Sequence, residues 1–360
     1  MSGAAGDDPE AVPRIGPFER RQVVRRSLIL AVTGFFLYLL APGLVELFSS
    51  WPQLRELGIG WLLLMFALEV GSFASLWLLQ KLALQASRWL PIITSQLAGN
   101  AFGRVVPGGG AAAGAFQYRM LRDAGIPPGS IATGLTAVQL LTFGTLVALP
   151  VLAVPAVLNG ADVADGLVRG LWIGLGAFIF LFVLGAVVLS TERPLRAVGR
   201  LVEAVRNRLL PRREPLRGLP DTLVEERDLI RSVLGSRWWE ALLASIGKWM
   251  FDFAVLLAVL LALGVDASPP LVLLAYVTAS LLGMIPITPG GLGFVEAGLT
   301  ATLALAGVGA ADAILATLAY RLVSFWLPLP FGALAIPLHR RKIARHDTAS
   351  ASGGPRTSGS

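Results

Sequence analysis

Residues 285–299 read IPITPGGLGFVEAGL and lie between two apolar runs. The runs are long enough to enter a membrane, yet Pro286, Pro289 and the glycines that follow them break helices. Glu296 adds a charge, which is costly at membrane depth. The stretch therefore predicts an interrupted membrane helix whose break is buried in protein or faces a polar cavity.

The composition is that of a membrane protein. Of the 360 residues, 55 % are hydrophobic and 15 % are charged, whereas soluble domains carry about 25 % charged residues. The mean hydropathy is +0.70. We therefore predict an all-α polytopic membrane protein.

Several kinds of chemistry are excluded by what the chain lacks. There is no Cys, and the two histidines, His339 and His346, fall in the basic C-terminal region, so thiol and histidine chemistry inside the membrane is not expected. Neither a phosphate-binding G-x-x-x-x-G-K-[ST] loop nor a dinucleotide fingerprint occurs. We expect no metal, no cofactor and no ATP-driven activity of this chain alone. Of the 30 basic residues 27 are Arg, which we attribute to genome composition and not to a nucleic-acid partner.

Six apolar segments reach the length of about 20 residues that a bilayer requires. They are residues 27–48, 58–79, 129–157, 168–189, 239–264 and 311–338. Two further apolar stretches, 91–118 and 269–308, are each broken in the middle by Pro-Gly-Gly. We predict about six transmembrane helices plus two re-entrant hairpins.

The basic residues predict the orientation. With a cytosolic N-terminus, 25 of the 30 Lys and Arg residues fall on the inner side, as the positive-inside rule requires. The predicted domains are a retained cytosolic tail (1–26), an integral membrane domain (27–338) and a basic disordered C-terminal tail (339–360). We expect a multi-pass protein of the bacterial inner membrane with both termini in the cytoplasm.

The cytoplasmic loop 190–237 carries 11 Arg and 7 acidic residues. Its first part, LRAVGRLVEAVRNRLL, predicts a helix with one apolar stripe, formed by Leu195, Val198, Leu201, Val202, Val205 and Leu209. Such a helix suits the surface of an anionic leaflet. A salt-bridged connector in water fits the pattern equally well.

The two broken stretches are related by an internal repeat. Shifting the sequence by 182 positions superimposes Pro107-Gly108-Gly109 on Pro289-Gly290-Gly291, Ala124-Gly125 on Ala306-Gly307, and Phe143 on Phe325. Residues 105–150 then share 10 identities in 46 positions with their counterparts. The repeat halves, about 91–157 and 269–338, are predicted to have opposite orientations in the membrane. Inverted repeats with interrupted helices mark midplane substrate sites in secondary transporters.

A Pro-Gly-Gly break has a chemical consequence in a bilayer. Backbone N–H and C=O groups lose their helical partners there and need protein or a polar cavity around them. Freed amides at a half-helix N-terminus can hold an anion such as a phosphate. The alternative is that each break is only a kink or a tight loop between ordinary spans.

Ionisable residues within membrane segments are rare and mostly functional. Here they are Glu69, Arg104, Lys248, Asp252, Glu296 and Arg321. Lys248 and Asp252 stand four apart and predict an ion pair. Glu296 could bind freed amides or Arg321, relay a proton or cation, or contact a cationic head group. Glu69 needs a counterion from another helix, and the candidates are Arg104, Lys248 and Arg321.

The second break carries a family resemblance. The order P-x-T-P-G-G-L-G-x-x-E-A from Pro286 to Ala297, followed by Arg321 in the next helix, resembles the lysylphosphatidylglycerol synthase transmembrane family, also described as flippase-like. The W-x-x-D at 249–252 and the V-P-G-G-G…Y-R-M-L at 106–121 fit its other regions, and the resemblance covers roughly residues 20–340. It implies a membrane domain that, in the multiple peptide resistance factor, translocates an aminoacylated phospholipid made by a separate soluble domain.

The first half departs from the family pattern. Where the family usually has Gly-Glu, this sequence has Gly110 and Ala111; it keeps Arg119, and Gln139 occupies the position equivalent to Arg321. The same head group is therefore not assured. The longest polar loop is too short to be a transferase, so we expect no lipid synthesis and no enzyme activity.

These observations predict a translocase for a lipid or a lipid-linked intermediate with a phosphate-bearing head group. Its substrate path would be formed by Arg104, Pro107, Gly108, Gly109, Arg119, Pro289, Gly290, Gly291, Glu296 and Arg321. Two alternatives remain: a small-solute secondary transporter, and a non-transporting scaffold for a glycosyltransferase or synthase. The expected partners are membrane lipids and, for the scaffold, a lipid-modifying enzyme or glycosyltransferase.

Overall fold

A computed structural model describes residues 58–106, 109–159, 165–209, 217–285 and 288–352, and these residues form helices and their connecting turns. The predicted span 27–48 lies outside the described residues, as do Pro107 and Gly108. The helices in chain order are α1 (Ile59–Ala83), α2 (Trp89–Val105), α3 (Gly109–Asp123), α4 (Pro128–Ala148), α5 (Val154–Leu158), α6 (Asp165–Ser190), α7 (Arg193–Leu209), α8 (Leu219–Leu234), α9 (Trp238–Ala262), α10 (Pro269–Gly283), α11 (Phe294–Leu305), α12 (Ala310–Arg321) and α13 (Pro328–Ser352).

Five helical segments in the described part are long and apolar enough to cross a membrane. They are Ile59–Ala83, Pro128–Leu158, Val168–Gly185, Trp238–Ala262 and Ala310–Lys342. Each coincides with one of the predicted spans, which confirms the all-α polytopic class. The last segment joins α12 to α13 through a π-helical turn, Leu322–Trp326.

The two broken stretches form pairs of short helices. In the first, α2 packs against α3, and in the second α10 packs against α11. These helices have 17, 15, 15 and 12 residues, or about 18–25 Å at 1.5 Å per residue, less than the roughly 30 Å hydrocarbon core. Such lengths suit hairpins that enter and leave on one side, and that topology stays a prediction.

The backbone conformation also supports the internal repeat, independently of the identical residues. Helices α4 and α12 begin at Pro128 and Ala310, which are equivalent at the offset of 182 residues. The helices before them end in the same way, with Gly125 at φ 84° and Gly307 at φ 90°. In both turns the following N–H, of Ile126 or Val308, donates to a carbonyl five residues back, which is a Schellman cap. The opposite orientation of the two halves remains a prediction.

The largest apolar core lies where α9, α10, α11 and α12 meet, with Met65 of α1 at its edge. Helices α1 and α9 run closely side by side. A Cβ on Gly247 would lie 2.9 Å from Ser75 Oγ, and Ser72 Oγ donates to the Lys248 carbonyl at 3.0 Å. Small residues at helix contacts are how membrane helices approach each other.

Close packing in the first hairpin gives a stability prediction. A Cβ on Gly103 would lie 2.7 Å from Ala113 Cβ and 2.8 Å from the Gly109 carbonyl oxygen. We expect Gly103→Ala to lower the free energy of unfolding by about 1–3 kcal/mol because the helices must separate. Gly114→Ala is the matched control, since a Cβ there meets nothing within 4 Å, and stability should stay or rise by up to about 1 kcal/mol. Thermal unfolding in detergent measures both, and equal behaviour of the two variants would contradict the close contact.

Helix α13 continues past the predicted boundary at residue 339 and ends at Ser352. The division into a membrane domain and a C-terminal tail stays a prediction. His339 is buried, 2.6 Å from Thr94 Oγ1 through Nδ1 and 2.9 Å from the Met120 carbonyl through Nε2. No local sequence pattern predicts this burial of His339, because α13 meets α2 and α3 through residues that are distant in the chain.

The loop 190–237, which is predicted to be cytoplasmic, contains two helices, α7 and α8, which pack against each other. The helix predicted in its first part is confirmed. Val198, Leu201, Val202, Val205 and Leu209 of the predicted stripe are exposed. The choice between a membrane surface and water as their surroundings stays open.

Candidate functional site

The second break is a glycine-built turn between α10 and α11. Pro289–Gly291 form one 3-10 turn, and Gly290, Gly291 and Gly293 have φ of 60°, 71° and 81°. These left-handed values are accessible to glycine at little cost. The turn is held by Thr288, whose Oγ1 donates to the Leu292 carbonyl at 2.8 Å. The glycines of the motif therefore allow a backbone conformation that would be strained for other residues.

Glu296 and Arg321 fix this turn to α12. The Gly293 N–H donates to Glu296 Oε2 at 2.7 Å, and Arg321 Nε donates to Glu296 Oε1 at 2.6 Å. Arg321 Nη2 also donates to the Gly290 carbonyl at 3.1 Å. The carboxylate thus satisfies a freed amide at the start of α11 and pairs with the arginine, two of the roles that the sequence allowed.

Phe325 lies between the two hairpins and is 2 % exposed. The guanidinium groups of Arg104 and Arg321 lie 4.8 and 4.1 Å from its ring centroid, a favourable cation–π distance. Arg104 Nη1 also donates to the Phe325 carbonyl, within the π-helical turn. One aromatic residue therefore places an arginine from each half of the repeat.

The two interruptions approach each other closely. A Cβ on Gly290 would lie 2.4 Å from Phe325 Cε2 and 3.2 Å from the Arg104 carbonyl oxygen. Between the hairpins lies a cavity of about 460 Å³, the tip cavity. Its polar lining includes Asn100, Arg104, Gln139, Ser280, Thr288, Tyr320 and Arg321. Gln139 and Arg321, equivalent in the repeat, both line it.

A second, smaller cavity adjoins the first. The inner chamber has a volume of about 160 Å³ and is lined by Glu69, Ser72, Phe73, Leu76, Asn100, Arg104, Lys248, Asp252, Tyr320, Arg321 and Ser324. Asn100, Arg104, Tyr320 and Arg321 line both cavities. Charged residues from α1, α2, α9 and α12 thus converge on one buried region.

Within the inner chamber, Asp252 is well satisfied. Lys248 Nζ lies 3.6 Å from Asp252 Oδ2, the two residues whose spacing of four predicts an ion pair. The hydroxyls of Tyr276 and Tyr320 donate to Asp252 at 2.7 and 3.2 Å. Lys248 also lies 3.0 Å from the Trp249 ring centroid.

Glu69 is the exception among the buried charges. It is 6 % exposed, and its Oε2 has no hydrogen-bond partner in the part of the chain that the structure describes. The predicted counterions Arg104, Lys248 and Arg321 share the chamber with it. None of them forms an ion pair with Glu69 among the described residues. An unpartnered buried acceptor is costly and needs an explanation.

Glu69 also lines an apolar groove. This side groove has a volume of about 130 Å³ and is lined by Phe66, Glu69, Val70, Phe73, Trp77, Leu97, Leu327, Pro328 and Phe331. Glu69 therefore stands at the boundary between an apolar surface and a polar chamber.

The predicted path residues divide into four groups. Arg104, Gly109, Gly290, Gly291 and Arg321 line the tip cavity. Glu296 lies beside it through its bond to Arg321, and Pro289 belongs to the turn at its edge. Arg119 is exposed near the end of α3 and is not among the lining residues. Pro107 and Gly108 fall outside the described residues.

Several residues of the site were not predicted. Asn100, Tyr276, Tyr320 and Phe325 carry no charge and lie in apolar segments without a motif that marks them. The pairing of Phe143 with Phe325 in the repeat was the one available signal. Among the described residues no three His, Cys, Asp or Glu side chains are placed to hold a metal ion.

Comparison with known proteins places this chain among membrane proteins. The sequence profile described as "Lysylphosphatidylglycerol synthase TM region" matches residues 26–332. Three curated relatives from Methanothermobacter thermautotrophicus, each named UPF0104 membrane protein, are 35 % identical over 89 residues, 37 % over 93 and 30 % over 90. Each alignment covers 25 % of this chain and 26 or 27 % of the relative. The similarity thus spans about a quarter of those relatives' length.

Proposed function

The chain belongs to the Lysylphosphatidylglycerol synthase TM region family, and from this premise we propose that it translocates a lipid with a phosphate-bearing head group. In this proposal the head group occupies the tip cavity while the acyl chains stay in the bilayer. Lipid synthesis is not part of the proposal.

The observation that carries the proposal is the convergence of Arg104 and Arg321 on one buried cavity. A guanidinium has five N–H donors; the structure shows Arg104 using one and Arg321 using two. The remaining donors can bind phosphate oxygens, for which guanidinium geometry is well matched. The N-terminus of α11, with its positive dipole end, lies at the same place.

The side groove favours an amphiphile over a small solute. Its lining is apolar except for Glu69, and it adjoins the charged inner chamber through that residue. A head group in a polar region with chains along an apolar groove matches this arrangement. A small polar solute would not require an apolar groove beside its binding site.

We further propose that the protein works in a bacterial inner membrane with both termini in the cytoplasm, as the basic loops favour. The two halves would then open toward opposite leaflets, as interrupted inverted repeats do. The scaffold alternative makes a different prediction: neutralising Glu296 would lower protein abundance in proportion to any lost phenotype.

Reconstitution into vesicles tests the proposal. Fluorescent phosphatidylglycerol, phosphatidic acid and phosphatidylcholine are placed in both leaflets, and a membrane-impermeant quencher reports how fast each crosses. We expect wild type to move at least one phosphate-bearing lipid faster than empty vesicles. Arg104→Gln should slow lipid translocation by about 10- to 100-fold. This factor corresponds to the loss of one charged hydrogen bond of about 1.5–3 kcal/mol.

Arg119→Gln is the matched control, because Arg119 is exposed and away from the cavity. Its rate should equal that of wild type. Wild-type vesicles that behave like empty ones with all three lipids would overturn the proposal. Uptake of a small solute driven by a proton or sodium gradient, without lipid movement, would favour the secondary transporter.

A further inference from the structure

The inner chamber contains two acceptors that nothing in the described protein satisfies. They are Glu69 Oε2 and Asn100 Oδ1. Both residues line the chamber, and Glu69 is more than nine-tenths buried. Nearby bases balance an ionised Glu69, but its Oε2 lacks a donor that would hold the side chain in the charged form. A proton bound to Glu69 removes the charge and supplies an O–H donor.

The other two carboxylates of this region, Asp252 and Glu296, have partners among the described residues. Asp252 accepts from Tyr276 and Tyr320 and pairs with Lys248. Glu296 accepts from the Gly293 N–H and from Arg321. Glu69 is therefore the acid whose ionisation the structure supports least.

The charges that face Glu69 come from each element packed around the chamber. Arg104 is on α2, Lys248 and Asp252 on α9, and Tyr320 and Arg321 on α12. With Glu296 bound to Arg321, three acids (Glu69, Asp252, Glu296) oppose three bases (Arg104, Lys248, Arg321). The net charge of the region is zero when these three acids and three bases are ionised and the tyrosines are neutral.

A phosphodiester in the adjoining tip cavity changes this balance by one negative charge. Because Arg104 and Arg321 line both cavities, a phosphate that engages them weakens the positive field that reaches Glu69. A net charge in a low-dielectric interior is costly, and one proton restores neutrality.

We propose that Glu69 is the proton acceptor of the transport cycle: its carboxylate takes one proton from water when an anionic head group enters the tip cavity and returns it when the head group leaves. The head group and the proton then move together. This inference rests on the proposed function and adds the coupling ion to it.

Calorimetry measures the coupling directly. The purified full-length protein is titrated with dihexanoylphosphatidylglycerol, a soluble short-chain phospholipid, in two buffers of equal pH and different ionisation enthalpy. The difference in binding heat gives the protons taken up per ligand. We expect net uptake by wild type, no uptake by Glu69→Gln with binding kept within a few-fold, and wild-type uptake by Glu225→Gln, whose carboxylate is exposed on α8.

Wild type that binds without proton uptake overturns the inference, and so does Glu69→Gln with uptake unchanged. If Glu69→Gln does not fold, Glu69→Asp replaces it, and uptake by that variant must persist.

Infrared titration without ligand separates this inference from the proposed function. A protonated-carboxyl band that titrates in wild type and is missing from Glu69→Gln, or shifted in Glu69→Asp, supports the proton site even if the lipid does not bind. Absence of such a band overturns the proton site. Failure of the lipid to bind, by contrast, counts against the proposed function and against coupling to it.

Discussion

Replacing Arg321 with Ala is expected to abolish lipid translocation and to lower the free energy of unfolding by about 3–5 kcal/mol, the cost of leaving one member of a buried ion pair alone. The arginine is 8 % exposed and donates to both Glu296 and the Gly290 carbonyl. Its removal leaves a carboxylate and a backbone carbonyl without a partner at the tip of the second hairpin. Thermal unfolding in detergent and the vesicle assay measure the two effects.

A double-mutant cycle provides the control for Arg321. Glu296→Ala, Arg321→Ala and the double variant should show a coupling of about 0.5–3 kcal/mol, as expected for residues in direct contact. Arg119→Ala, at an exposed position, should change stability by no more than about 0.5 kcal/mol. Additive effects at Glu296 and Arg321 would mean that their contact does not hold the turn.

Gly290→Ala is expected to have the second large effect, although it adds a single methyl group. The new Cβ would lie 2.4 Å from the Phe325 ring, and the residue has φ 60°. Overpacking costs about 1–3 kcal/mol and the left-handed backbone about 1–2 kcal/mol, so we expect a loss of about 2–5 kcal/mol. Since Phe325 places both arginines, translocation should fall as well. The same two assays measure this.

Gly307→Ala separates backbone strain from the clash. Gly307 has φ 90°, and a Cβ there meets nothing within 4 Å. This variant should lose only the strain contribution of about 1–2 kcal/mol and keep translocation. If both variants behave alike, Phe325 does not rest against Gly290 in the working protein.

Local sequence patterns predicted the parts of this fold that depend on neighbouring residues. The spans follow from apolar length, the two breaks from Pro-Gly-Gly, and the Lys248–Asp252 pair from its spacing of four. The repeat also aligned Gln139 with Arg321 in sequence, and both line the tip cavity. These features could be predicted because a helix fixes which side chains are neighbours.

The contacts that build the site could not be predicted in the same way. Arg104 binds the Phe325 carbonyl across 221 positions of the chain, and Thr94 meets His339 across 245. The π-helical turn that offers the Phe325 carbonyl has no sequence signature. The lack of a partner at Glu69 Oε2 is also a tertiary property, because it depends on the positions of charged residues from three other helices.

The most direct test of the central claim, that the two interruptions enclose one head-group cavity, uses engineered cysteines in this Cys-free chain. Gly110→Cys and Thr288→Cys place one thiol on each side of the tip cavity, and a short bismaleimide is added to membranes with and without dihexanoylphosphatidylglycerol. We expect a crosslink within one chain and slower labelling of each single cysteine when the lipid is present. No crosslink, together with labelling as fast as that of exposed Glu225→Cys and unaffected by the lipid, would contradict it.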